Sequence, residues 1–172
     1  MVSKLESLFL ESAGLPSVAL VDGTSITNLY SRLEALDVPF VSLLNGWSAT
    51  TYLRVAPFLV QVDEPSMRME KLIDDAISVG GLVWLGSSQP LERMRSRLFK
   101  FYYWRHGKNH VYARIADAMY FSTLLKIATA EQIKMIGAIA ERVVIPLNGK
   151  LDTYAFDGES VQFQLQKVKE ES

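Results

Sequence analysis

Apolar positions recur along this chain in two periods, and the switches between them predict its elements. Leu5, Leu8 and Phe9 share a helical face, so residues 4–12 read as a first helix, stopped by Gly14 and Pro16. The run "SVALV" reads as a buried strand closed by Asp22-Gly23. Apolar residues at 26, 29, 30, 33 and 36 form the stripe of a second helix. "VPFVSLL" is a strand ended by Asn45-Gly46, and Ser48 is placed to cap a short helix through Val55, before Pro57. "FLVQV" is a third strand, residues 66–79 a helix ended by Gly80-Gly81, and "LVWLG" a fourth strand.

Ser88 and Pro90 predict the start of a helix that carries Leu91, Met94, Leu98 and Phe101. "FYYWR", the turn "HGKN" and "HVYARIA" then read as a β-hairpin, and "AMYFSTLLKIA" as a helix. Thr129 and Gln132 form a capping-box pattern for one more. Late strands follow in "RVVIPL" and "YAFDGESVQFQL", the latter turning at Asp157-Gly158, and the polar end is expected to fray.

Strands alternate with helices to about residue 100, the order that builds a parallel or mixed sheet covered by helices. The predicted class is α/β, with α+β character in the second half: a mixed sheet with helices packed on it, in one compact domain spanning residues 1–172.

Composition narrows the chemistry. Net charge is −1, against nucleic acid as the main partner, although "LERMRSRLFKFYYWRHGK" gathers positive charge locally. There is no cysteine, so disulfides, thiolate zinc and cysteine nucleophiles are excluded. The N-terminus lacks the pattern of a signal peptide and no run is long enough to span a bilayer, so the expected location is cytoplasmic.

The first strand is followed by "DGTSITN", without the glycine spacing of a dinucleotide or P-loop cradle, and no nucleophile elbow occurs. His106 and His110 flank a turn with no carboxylate nearby, so no metal or cofactor is expected there. Asp22 ends the first strand, where α/β sheets place functional groups. The plainer reading is a turn whose carboxylate accepts backbone N–H groups. Arg114 and Asp117 sit where strand gives way to helix, and the expectation is a buried guanidinium matched by its carboxylate, a structural bridge.

In "FKFYYW" read as a strand, Phe101 and Tyr103 face one way, Tyr102 and Trp104 the other. One face can serve a core. The other, Tyr102 with Trp104, belongs either to a strand buried on both sides or, with Arg105 next in the chain, to a partner-binding patch of Tyr, Trp and Arg. "ESVQFQLQK" alternates apolar and polar residues, as an edge strand does, and its apolar face is expected to finish the core.

Taken in order, "ALVDG", "VSLLNG", "VAPFLVQV", "GLVWLGSS", "LERMRSRLFKF", "VYARIADAMYFSTLL" and "IATAEQ" resemble the type VI secretion effector chaperone/adaptor family, also known as domain of unknown function 4123. Asp22-Gly23 matches its strand-ending Asp-Gly. Ser42, Leu43 and Gly46 match its turn, and Ala56 to Val60 its Ala-Pro-aromatic-Leu-Val segment. Ser87-Ser88 match its serine-ended strand, with Leu91, Arg95 and Leu98 in the helix beyond. Arg114 and Asp117 match the Arg and Asp of its Phe-Arg-Phe-Tyr-Asp-Pro-Arg motif, while Ala118 and Met119 replace the Pro and second Arg. Thr129, Glu131 and Gln132 match its later helix start.

The resemblance covers about residues 17–145, with C-terminal strands at 142–168 in place of the longer helical lobe of many members. It implies a non-enzymatic cytoplasmic adaptor without cofactor. Its partners would be a toxic protein effector and the VgrG spike, with no nucleic acid and no membrane insertion, and Asp22, Gly23, Arg114 and Asp117 would be structural. The competing readings are a small enzyme that uses Asp22, Arg114 and Asp117 on an anionic metabolite, and a regulatory domain that binds one.

Overall fold

The computed structural model of the chain describes residues 2–44, 54–157 and 160–167. Nine strands and six helices lie in those segments. The strands are β1 (Ser17–Val21), β2 (Phe40–Ser42), β3 (Phe58–Val62), β4 (Leu82–Gly86), β5 (Tyr103–His106), β6 (Asn109–Tyr112), β7 (Arg142–Leu147), β8 (Lys150–Phe156) and β9 (Val161–Lys167). The helices are α1 (Lys4–Glu11), α2 (Leu29–Leu36), α3 (Met67–Ser78), α4 (Leu91–Tyr102), α5 (Ala118–Ile127) and α6 (Ala130–Gly137). The turn expected at Asn45-Gly46 and most of the helix expected from Ser48 lie outside the described residues, and so does Gly158.

Local signals account for most helix starts. Ser3 with Glu6 and Thr129 with Gln132 form complete capping boxes, and Ser66 and Asp117 accept from backbone N–H groups three residues on. Ser88 does not cap α4: its N–H and hydroxyl donate to Glu141, and Pro90 takes the N-cap position. α2 starts at Leu29, later than the stripe from Ile26 suggests, because the chain after β1 is first spent on a turn around Asp22. It enters the helix through Asn28 at φ 56.

Seven strands form one sheet in the order β2-β3-β1-β4-β7-β8-β9, and β5-β6 form a separate hairpin. The α/β layering is the expected one. Strand direction differs from a parallel or mixed sheet: every pair among the described residues is antiparallel. Ser17 of β1 is opposite both Val62 of β3 and Gly86 of β4, so β3 and β4 run parallel to each other with β1 inserted between them. The order β3–α3–β4 is thus a crossover unit as its alternation suggests, but its strands are not neighbours.

All five residues of β1 and of β4 are buried, so both sheet faces are covered. α1 and α2 pack with α3 as one layer, while α4 contacts β2 and β3 and α5 contacts β4 and β7. Trp84 of β4 is fully buried, edge-on to Phe9 of α1, and its indole N–H donates to Ser12 Oγ at 2.8 Å. Glu11 is buried at the end of α1 and accepts from the Thr153 hydroxyl of β8 at 2.6 Å.

The reading of "FYYWR" as a strand is corrected at its first two residues. α4 runs through Tyr102 because Met94, Leu98 and Tyr102 are spaced by four on its buried stripe, and burial on that stripe outweighs the β-preference of aromatic residues. The terminal strand is also corrected. β9 is the outermost strand, as an edge should be, but Val161 and Phe163 are exposed and do not finish the core. Phe163 instead lies 5.0 Å, ring to ring, from Tyr154.

A carboxylate joint, an apolar pocket and a basic hairpin

Asp22 follows the last residue of β1 and turns the chain. Its Oδ1 accepts from the Thr24 N–H at 2.9 Å and the Thr24 hydroxyl at 2.7 Å, and its Oδ2 accepts from the Ser25 hydroxyl at 2.8 Å. Gly23 is required for clearance: a Cβ there would stand 2.2 Å from the Ala56 carbonyl oxygen. The Asp22 N–H donates to Gly81 O, and the Ala118 N–H donates to Gly80 O. The end of β1, the turn before β4 and the start of α5 are thereby tied together.

Arg114 closes this joint. Its Nη2 donates to Asp22 Oδ2 at 3.1 Å and lies 3.5 Å from Asp117 Oδ2. Asp117 also caps α5 by accepting from the Tyr120 N–H at 2.8 Å. The four residues expected as a structural set, Asp22, Gly23, Arg114 and Asp117, therefore meet in one place. The expected burial is reversed: the Arg114 side chain is 60% exposed and that of Asp22 only 7%. Burial raises the Asp22 pKa, but hydrogen bonds from Thr24, Ser25 and Arg114 outweigh it, and the net shift is downward.

Beside the joint opens a pocket of about 340 Å³, walled mainly by apolar side chains that include Leu44, Pro57, Ile115 and the rings of Tyr102 and Tyr112. Burial, with help from Tyr112 and Asp22, pushes the Tyr102 hydroxyl up to about 12. Among the described residues, the ionisable groups at the rim do not form an acid–base pair. Asp22 is held as an anion with both oxygens occupied, and the Thr24 hydroxyl is committed to it. Among the described residues, no group of three or more His, Asp or Glu side chains is placed to hold a metal ion.

The β5–β6 hairpin projects from the end of α4. Tyr103 and Tyr112 are opposite each other, and Tyr103 stacks on Phe99 of α4 at 5.4 Å. The Tyr103 hydroxyl lies 2.5 Å from Nδ1 of His110, and Tyr112 sits 5.5 Å, ring to ring, from Tyr102. Trp104 pairs with Val111 on the alternate face and is 43% exposed. Arg105 pairs with His110, and both are exposed. Of the three residues expected in a partner-binding patch, Trp104 and Arg105 are on the surface of β5, on opposite faces, whereas Tyr102 is buried in α4 and lines the pocket.

Residues 19–135 match the family described as "Domain of unknown function (DUF4123)", more than half of the chain, and the chain belongs to that family. No curated protein and no solved structure matches it. The matched span starts within β1 and ends within α6, so it holds the whole carboxylate joint, the pocket and the hairpin. No helix among the described residues is long and apolar enough to cross a membrane.

Proposed function

We propose that this chain is a non-enzymatic adaptor of a type VI secretion system, which binds a protein effector in the cytoplasm and helps to load it onto the VgrG spike. The observation that carries this reading is the β5–β6 hairpin. One face is fixed by the Phe99–Tyr103–Tyr112 ring contacts and carries the exposed Arg105 further along the strand, and the other face presents Trp104 with Val111 opposite it. A rigidly held tryptophan next to an arginine is the composition of a protein-binding hot spot. The resemblance of the motifs around Asp22 and Arg114 to effector adaptors supports the same reading.

The pocket argues against an anionic metabolite. Among the described residues that line it, the cation is Arg114, which already faces two carboxylates, so these residues offer no net positive charge to a phosphate or carboxylate.

The test is co-purification of the tagged chain from its native host. Wild type should bring down a polypeptide encoded near spike or toxin genes. A folded Trp104→Ala variant should recover it about fivefold less well, the loss expected for a hot-spot residue worth about 1 kcal/mol. Equal recovery by the variant would remove the hairpin from the binding surface. A bound small molecule with no protein partner would overturn the adaptor reading.

A further inference from the structure

The charges of this chain are segregated. Residues 91–114, which make up α4, the hairpin and the approach to the joint, carry seven lysines and arginines against one glutamate, a net of +6. The rest of the chain carries eleven against eighteen, a net of −7. Internal pairing does not cancel the positive end. Glu92 is taken by Arg95, and Arg114 is held at the joint. Arg93, Lys100, Arg105 and Lys108 are exposed, and among the described residues none lies within ion-pair distance of a carboxylate.

Their placement is ordered. Arg93 and Lys100 are seven residues apart on α4, on one side of the helix, and the chain passes directly from Tyr102 into β5. The positive stripe therefore leads in the chain into the hairpin, whose outer end carries Arg105 on the Tyr103 face, Lys108 in the turn and, on the opposite face, the exposed Trp104 with its cross-strand neighbour Val111. Like charges gathered this way repel one another and lower the stability of the free domain. An acidic surface laid over them removes that repulsion.

We infer that α4 and the β5–β6 hairpin form a docking face for an acidic surface of the partner protein, with Trp104 as its apolar anchor. This deepens the adaptor reading and rests on it. Charge complementarity selects the occupant, and the same charges disfavour nucleic acid, because a polyanion long enough to leave the patch meets a remainder of −7. The Trp104–Val111 face suits a folded apolar–acidic surface better than a phosphate backbone.

The full-length chain tests this with defined probes. One is a synthetic peptide of alternating glutamate and leucine, the second its glutamine-for-glutamate counterpart, and the third a thymidine oligonucleotide of matched charge. Binding is read as tryptophan emission, with Trp104→Phe as the reference for the other two tryptophans. The acidic peptide should bind, and binding should weaken as salt shortens the screening length. Affinity should fall about tenfold or more in a Lys100→Glu/Arg105→Glu/Lys108→Glu variant, with a glutamine-substituted version as the control for folding. Equal binding of the neutral peptide, tighter binding of the oligonucleotide, or full affinity in the charge-reversed variant would overturn the inference.

Co-purification separates this inference from the adaptor reading. A native partner recovered equally by wild type and the charge-reversed variant sinks the acidic-surface inference and leaves the adaptor standing. Acidic-peptide binding with no protein partner from the host leaves the surface standing and removes the adaptor.

Discussion

Arg114 and Asp22, 92 positions apart in the chain, meet at 3.1 Å with their burial reversed from what a structural arginine would show. The buried member is the carboxylate, so the donors around it depend on Asp22 more than Asp22 depends on any one of them. Among the three charged residues of the joint, Asp22→Ala should therefore be the most damaging truncation. It strands the Thr24 and Ser25 donors, and leaving such groups unsatisfied costs about 1–3 kcal/mol. Urea melts at neutral pH measure the loss. A midpoint equal to wild type would mean that the joint contributes nothing to stability.

The same carboxylate sets an acid limit. Its folded pKa lies below the ordinary aspartate value of 3.8, so folding favours the anion. The stability this provides is fully present above the unfolded pKa and is lost as pH falls through the lower, folded one. Asp22→Asn should flatten the fall in melting temperature between neutral pH and the acid range. An unchanged acid profile in the variant would show that other carboxylates govern it.

Asp117→Ala should cost far less than the 3–5 kcal/mol or so expected for stranding a buried arginine. What it loses is the cap of α5, about 1 kcal/mol, and a longer contact to an exposed guanidinium. Arg114→Ala should cost under about 1 kcal/mol, since its side chain is mostly solvated. A double-mutant cycle in urea between Asp22 and Arg114 isolates their coupling. A loss above about 3 kcal/mol for Asp117→Ala alone would restore the buried-arginine view.

Tyr102 sets an alkaline limit. Its hydroxyl titrates near 12 in the folded chain and near 10 when unfolded. Its contribution is fully present below pH 10 or so and is lost as pH rises towards the folded value. Burial also raises the Tyr154 hydroxyl and Glu34 that of Tyr30, so spectrophotometric titration should show several tyrosines ionising late, with a step near 12 that Tyr102→Phe removes. A Tyr102→Phe protein that keeps that step would assign it to another ring.

The sequence made legible what depends on neighbours in the chain. The Asp117 cap, the Thr129–Gln132 box and the buried runs of β1 and β4 are all written within a few residues. The spacing of Met94, Leu98 and Tyr102 was equally present, but the β-preference of the aromatic run masks it. The β7–β8 hairpin also has a local signal, the Asn148-Gly149 turn, with both residues at positive φ. Two features had none. The insertion of β1 between β3 and β4 is a choice among remote pairings, and so is the approach of Arg114 to Asp22 across 92 residues.

The C-terminal meander has a practical consequence for anyone who isolates this domain. The span matched by the family ends at residue 135, yet β7 beyond it pairs with Trp84, Leu85 and Gly86 of β4. Ser87 donates to Ile139 O, and Glu11 takes its hydroxyl donor from Thr153. A fragment cut at 135 would carry a hydrophobic strand open along one side and a buried carboxylate stripped of its partner. Expressed beside a fragment ending at 167, it should aggregate while the longer one stays in solution. Cutting at the edge of sequence likeness would sever the folding unit, and an inactive fragment made that way would report on the cut rather than on the biology.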